Sequence, residues 1–185
     1  MSATREQILS TAARLFAERG YELVGINEII EKSGVAKATF YAHFKSKEKL
    51  CAEWMRQEAS RSEKYHDGLL QASGTALDRV RQKYESLASY IASSDYRGCP
   101  FSITASMLDS GTETREVIRD YKSTARAFWQ SIALEIHREP SKARALGDAL
   151  FLLFSGAITE AQNFRNAWPV EAAKNAALRL CKGDF

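Results

Sequence analysis

Lys37, Thr39, Tyr41, His43 and Lys47 fall in one short stretch of a 185-residue chain, interleaved with apolar residues. Ammonium groups, hydroxyls and an imidazole presented together suit hydrogen bonding to phosphate oxygens and base edges rather than bond-breaking chemistry. Phe40 and Phe44 lie four apart and face inward on a helix, which leaves Lys37, Ala38, Thr39, Tyr41 and His43 for the outer side. Lys45, Lys47 and Lys49 extend a positive rim that only Glu48 opposes. Lys47 falls in the first turn of the next helix, where an anion meets a side-chain charge and free backbone N–H groups together. A cluster of lysines alone describes many solvated faces, so the elements that position these residues must carry the argument.

Those elements read as helices. Ile8, Ala12, Leu15 and Phe16 line one face of a first helix, with Thr4 and Gln7 at the spacing of a capping box. A second helix, Ile26 to about Ser33, buries Ile26, Ile29 and Ile30; Gly34 makes a tight turn; a third runs from about Lys37 to His43. Two short helices joined through a glycine turn outline a helix-turn-helix. Ser46 caps a fourth helix whose inward stripe is Leu50, Cys51, Trp54 and Met55, and which is expected to stop near Asp67, before a break at Gly68 to Gly74. Five further helices are expected at about 75–93, 99–108, 112–138, 140–164 and 169–181, with Pro100, Pro140 and Pro169 at first helical positions, where a missing N–H does no harm. The expected fold is all-α with about nine helices: a helix-turn-helix domain at 1–48 and a helical ligand-binding and dimerisation domain at 49–185.

Composition narrows the function classes. Hydrophobic content of 45% and charged content of 26% suit a globular chain and exclude disorder or a fibre. The longest apolar run, Ala149 to Phe154, is far short of a bilayer span, and the polar N-terminus does not resemble a signal peptide. Cys51, Cys99 and Cys181 are odd in number with no CxxC pair, which suits a reducing cytoplasm and no structural metal. His43, His66 and His137 stand far apart, without HExxH, GxSxG or a phosphate loop. The reading is therefore a cytoplasmic, non-enzymatic protein with no catalytic residues, cofactor or metal.

The segment GYELVGINEIIEKSGVAKATFYAHFKSKEKL, Gly20 to Leu50, resembles the DNA-binding domain of TetR-family transcriptional regulators. The resemblance rests on Gly20-Tyr21, Ile26, Ile29, Gly34-Val35, Thr39-Phe40-Tyr41, Phe44, Ser46-Lys47-Glu48 and Leu50, in order and without a gap. It implies DNA contacts at Lys37, Thr39, Tyr41, His43 and Lys47. Lys37 and Thr39 are placed at base edges, and Tyr41, His43 and Lys47 at phosphates. Gly25 and Ala36 depart from the Ser or Thr that family members commonly place there as caps, at about 1 kcal/mol for alanine against serine.

For the remainder of the chain the resemblance implies a small-molecule effector of unspecified identity within a helical shell. Tyr84, Phe101, Met107, Phe128, Trp129, Phe151, Phe154, Ile158 and Gln162 are candidates for its lining, with Arg126, Gln130 and Thr159 as polar contacts. Helices eight and nine, about 140–181, are the expected homodimer interface. Leu146, Leu150, Leu153 and Ala157 form one stripe of helix eight, and Phe151, Phe154 and Ile158 point elsewhere. A helix apolar on most of its circumference needs a partner outside its own subunit as well as within it. Ala172, Ala173, Ala176 and Ala177, with Gly147 and Gly156, permit close helix approach.

The stretch YRGCPFSITASML, Tyr96 to Leu108, is similar to a glycine-cysteine segment of one subset of that family, which implies that it opens a helix that moves between effector-bound and DNA-bound states. Cys99, before Pro100 and near Arg97, is there in the setting of a reactive thiol. An inert capping cysteine is the plainer reading, and Cys51 is core. The mechanism this predicts is a dimeric repressor on a palindromic double-stranded operator. Its recognition helices would stand about 34–36 Å apart, and an effector that prefers another spacing would release it.

Overall fold

The computed structural model describes residues 2–93 and 96–183. Among them it contains nine helices and no strand: α1 (Ala3–Arg19), α2 (Ile26–Ser33), α3 (Lys37–His43), α4 (Lys47–Gln71), α5 (Ala76–Ala92), α6 (Pro100–Ser106), α7 (Glu113–Ile136), α8 (Pro140–Phe164) and α9 (Trp168–Lys182). The all-α expectation holds, and α2 and α3 have the anticipated extents. The chain forms two compact units, Met1–Arg61 with Pro100–Tyr121, and Ser62–Cys99 with Lys122–Phe185. Two of the three boundaries fall inside helices, within α4 and within α7, and the third falls at the start of α6.

In the first unit, Ile8, Leu9, Ala12, Leu15 and Phe16 of α1 are buried, and α1 packs on α2. The Phe16 ring meets Tyr21 at 5.7 Å and Trp54 of α4 at 5.5 Å. The Thr4–Gln7 capping box does not form. Ser2 caps α1 instead, its hydroxyl accepting from the Arg5 N–H at 3.2 Å. A serine two residues earlier starts the helix there and moves Gln7 past the capping position. The Gln7 amide then donates to the Ser33 carbonyl at 2.7 Å, tying α1 to the end of α2.

In the second unit, α8 packs on α9, and α5 on both. Val80, Tyr84, Trp129, Ile132, Leu150, Val170 and Ala177 lie at the centre of its core. Thr75 and Asp78 form a full capping box on α5. Helix α4 runs past Gly68 to Gln71 rather than stopping near Asp67. An interior glycine costs about 1 kcal/mol against alanine, and two features outweigh it here. Leu69 beyond it is buried, and the Arg79 guanidinium donates to the Leu69 and Ala72 carbonyls at 3.1 and 3.0 Å, partnering acceptors that a helix end leaves free. Pro140 opens α8, whereas Pro169 is second in α9, after Trp168.

Candidate nucleic-acid interface

The turn between α2 and α3 depends on Gly34, whose φ of 66° and ψ of 20° are left-handed, a conformation side-chain-bearing residues rarely take. Gly25 and Ala36 precede α2 and α3 without a side-chain cap. Helix α3 is fixed from below: Phe40 and Phe44 are buried, their rings 6.3 Å apart, and the Arg5 guanidinium lies 4.9 Å over the Phe44 ring. Burying two aromatics on one side turns the other side outward. Lys37, Ala38 and Tyr41 are exposed, and Thr39 and His43 are half-buried. The Tyr41 ring meets Phe40 edge-on at 5.4 Å, which restrains it without covering it.

Lys47 is folded back. Its Nζ donates to the Tyr21 carbonyl at 3.1 Å and stands 4.2 Å over the Tyr21 ring, leaving N–H groups for an incoming anion. Burial, with Cys51, Glu48 and Glu22 nearby, pushes the Tyr21 phenol up to about 12, so it remains neutral. Ser46 caps α4 as expected, accepting from the Lys49 N–H at 3.1 Å. The rest of the positive rim differs from the sequence reading. Lys49 pairs with Glu113, as does Arg56. Glu48 does not oppose the lysines; its carboxylate accepts from the Thr114 N–H at 2.9 Å and hydroxyl at 2.8 Å. Residues 48 and 49 thus hold the N-terminus of α7. Sequence carried no signal for this, because the partners are remote along the chain. Arg115 donates to the Ala105 and Leu108 carbonyls at 2.8 and 2.7 Å, fastening the end of α6 to the same unit.

The residues expected around an effector separate into groups. Tyr84, Phe128 and Trp129 are buried in the core of the second unit, and Phe151, Phe154 and Ile158 pack against that core. The Phe154 ring lies 5.3 Å from both Tyr84 and Trp129. Phe101 and Met107 belong to the first unit, where Phe101 stacks on Tyr121 at 3.7 Å and Met107 is exposed. The Arg126 guanidinium donates two bonds to Asp148, at 2.7 and 2.6 Å, and the Gln130 amide a third at 2.7 Å. Gln162 fills the space beside buried Gly98, its Oε1 only 1.9 Å from where a Cβ would stand. The Thr159 hydroxyl donates to the Ser155 carbonyl.

Two residues that sequence reasoning passed over complete the aromatic group. His66 is buried and stacks on Phe128 at 4.1 Å. Lys83 Nζ lies 3.0 Å from His66 Nε2 and over the rings of Tyr65, Phe154 and Phe128 at 4.4, 5.2 and 5.8 Å. Burial and the neighbouring Lys83 push the imidazole down to about 3, and burial pushes Lys83 down to about 8. His66 Nδ1 and the Tyr84 hydroxyl are buried without a hydrogen-bond partner, each costing about 1–3 kcal/mol. The spacing Tyr65-His66 with Lys83-Tyr84 is legible in the sequence, but nothing in it announces that the pairs meet.

Cys51 and Cys181 are buried, and burial raises their thiols to about 12 and about 11. Cys99 is half-buried, with Lys122 Nζ 3.6 Å from its sulfur. Among the described residues no cluster of metal-ligating side chains occurs, and no helix is long and apolar enough to cross a membrane.

Comparison with known proteins agrees with this geometry. Residues 8–53 match the model of the bacterial regulatory proteins of the tetR family. The chain is 46% identical over 50 residues to the uncharacterized HTH-type transcriptional regulator YerO of Bacillus subtilis, a match spanning 27% of this chain and 17% of that protein. It is 27% identical over 179 residues to the HTH-type transcriptional repressor NemR of Escherichia coli, covering 92% of this chain and 89% of that one. The crystal structure of SCO4454, a TetR-family regulator from Streptomyces coelicolor, superposes with a TM-score of 0.83 at 23% identity, over 98% of this chain and 93% of that one. With an outward polar face on α3 and the same helical architecture throughout, this chain carries the DNA-binding helix-turn-helix of the tetR family of bacterial regulatory proteins on the fold of a TetR-type transcriptional regulator.

Proposed function

We propose that this regulator is a repressor, binding a palindromic operator as a homodimer and leaving it when a small-molecule effector binds. Residues 1–48 are the DNA-binding domain in this reading, and residues 49–185 hold the effector and the dimer contacts. The observation that carries it is α3, whose apolar side is locked by Phe40 and Phe44 while Lys37, Ala38 and Tyr41 are left exposed. Lys37 and Thr39 read base edges with Ala38 between them, and Tyr41, His43 and Lys47 meet phosphates. Repression is supported by the description of the E. coli relative as a repressor, and it follows physically when the bound dimer overlaps a promoter. The effector lies among Tyr84, Phe128, Trp129, Phe151, Phe154 and Ile158. Selection of bound genomic fragments, followed by shift assays on the recovered sites, tests this. Inverted-repeat sites bound cooperatively are expected; binding without sequence preference overturns it.

The dimer contact falls on the outer side of α8 and α9. Leu146, Leu150 and Ala157 are buried in the subunit's own core, and Phe151, Phe154 and Ile158 pack against it. Both apolar faces of α8 expected from sequence are thereby used internally. A Cβ at Gly147 would meet the Gln130 backbone of α7 at 2.6 Å, whereas at Gly156 it would meet open space. What remains outward is an apolar groove lined by Leu152, Gly156, Trp168, Ala172 and Ala176, with Leu152 66% exposed. Small residues beside large exposed ones suit a second copy's helices.

A second reading is a thiol-responsive release through Cys99, favoured by the Lys122 ammonium at 3.6 Å, since a cation beside a thiol is a setting in which cysteines react. Mild treatment with iodoacetamide separates the two readings. Loss of operator binding in the wild type but not in Cys99→Ser supports the thiol, and unchanged binding in both leaves the reversible effector.

A further inference from the structure

From the make-up of the outward face of α3 we infer that Ala38 and Ala42 read the C5-methyl groups of thymines in the operator half-site. The middle of the recognition surface then selects by apolar contact, and hydrogen bonding is left to its flanks. This rests on the reading above that α3 enters the major groove, and it names the base chemistry that the helix selects.

Helical geometry places the two alanines. Residues two before and two after a given position lie about 200° round an α-helix from it, about 20° to either side of the opposite direction. Phe40 is 0% exposed, so the side opposite it, held by Ala38 and Ala42, points straight outward, and both are exposed. Thr39 and Tyr41 fall on the flanks. Thr39 is half-buried, and the Tyr41 ring is turned against Phe40. Lys45 is folded back along the helix, its Nζ donating to the Tyr41 carbonyl at 3.3 Å. The middle of the face thus carries two methyl groups and no side-chain donor or acceptor. Both alanines lie inside the segment that matches the tetR-family model, residues 8–53. The DNA-facing helix is the one already described, and the alanines decide only what it selects.

Methyl groups four residues apart on a helix stand about 6 Å from each other, a span of about two base steps along one strand. In the major groove only thymine offers a methyl group; guanine offers two acceptors, adenine an acceptor and a donor, and cytosine a donor. A methyl laid against a polar edge displaces water and gives no partner in return. Laid against the thymine methyl, it buries apolar surface on both sides. Side chains this short also let the helix backbone approach the base edges, which brings the two methyl groups into contact distance.

The test uses the full chain and an operator recovered by selection of genomic fragments. Each thymine of one half-site is replaced in turn by uracil, which differs only in lacking the C5-methyl group. Binding about fourfold weaker is expected at one or two of these positions, the weight of one buried methyl-sized group, with no change at the other thymines. Ala38→Gly and Ala42→Gly should each abolish the effect at one position. Glycine weakens a short helix and lowers affinity for thymine and uracil DNA alike, so the ratio between the two DNAs reads the contact alone. Indifference to uracil at every position, a half-site without thymine, or a uracil effect that persists in both glycine variants overturns the inference. Cooperative binding to an inverted repeat that is indifferent to uracil leaves the repressor reading standing, whereas absence of any specific site removes both.

Discussion

At the scale of residues, Lys47 serves the fold and, in the proposed function, the DNA contact as well. Its Nζ holds the Tyr21 carbonyl, yet it has N–H groups left for a phosphate. Lys47→Ala is expected to weaken specific and nonspecific DNA binding alike and lower the salt slope by about one unit. Thr39→Ala should instead lose discrimination between operator and mutated operator. Titrations at several salt concentrations check both, and an unchanged slope together with unchanged discrimination removes the contact assignment. His66 and Lys83 give a second test, in stability against pH. Above pH 6.5 the imidazole is neutral whether folded or unfolded. Between 6.5 and about 3 only the unfolded chain takes up the proton, so stability falls as pH falls through that window. Lys83 acts at the other end: from about 8 to 10.5 the folded protein sheds its proton first, so this residue's penalty is relieved as pH rises. His66→Phe should lose less melting temperature between pH 7 and pH 4.5 than the wild type. Parallel loss in the two proteins contradicts a neutral, buried imidazole.

At the scale of elements, the start of α7 is held by α4 as well as by its own cap, the Thr112 hydroxyl, which accepts from the Arg115 N–H at 3.3 Å. The Thr114 N–H and hydroxyl both reach the Glu48 carboxylate, and Glu113 takes Lys49 and Arg56. Hydrogen bonds to a charged group contribute about 1.5–3 kcal/mol each. Exposed ion pairs such as those of Glu113 contribute roughly 0–1 kcal/mol, so Thr114 carries the connection. Thr114→Val, equal in shape but without the hydroxyl, is expected to destabilise the protein by about 1–3 kcal/mol in urea unfolding, and Thr114→Ser to recover most of it. A Thr114→Val protein as stable as wild type places the connection elsewhere. The N-terminal part of α4, which presents Lys47, is thus fixed by contacts within its own unit.

At the scale of the whole molecule, the proposed function requires two copies. Leu152→Glu should give a folded monomer, because Leu152 is 66% exposed, and operator affinity should fall as the two half-sites cease to be bound jointly. Leu150 is fully buried, so Leu150→Glu should fail to fold, an unpaired buried charge costing several kcal/mol. Sedimentation with circular dichroism distinguishes the two outcomes, and a wild-type protein that is monomeric at micromolar concentration removes the dimer.

The sequence by itself determined the helices and the motif. Periods of three and four apolar residues, one glycine turn and three prolines are local signals, and local backbone physics decides them. The outward set on α3 followed from Phe40 and Phe44 alone, since two buried rings on a short helix leave a single free side. Only the tertiary structure decided the rest. Residues 100–121 cluster with the helix-turn-helix unit, Glu48 binds the start of α7 instead of opposing the lysine rim, and α8 turns inward both of the faces that sequence left open. Lys83 meets His66 across two helices. Each of these joins residues far apart along the chain, and helical periodicity specifies which face a residue occupies but not which neighbour that face will meet.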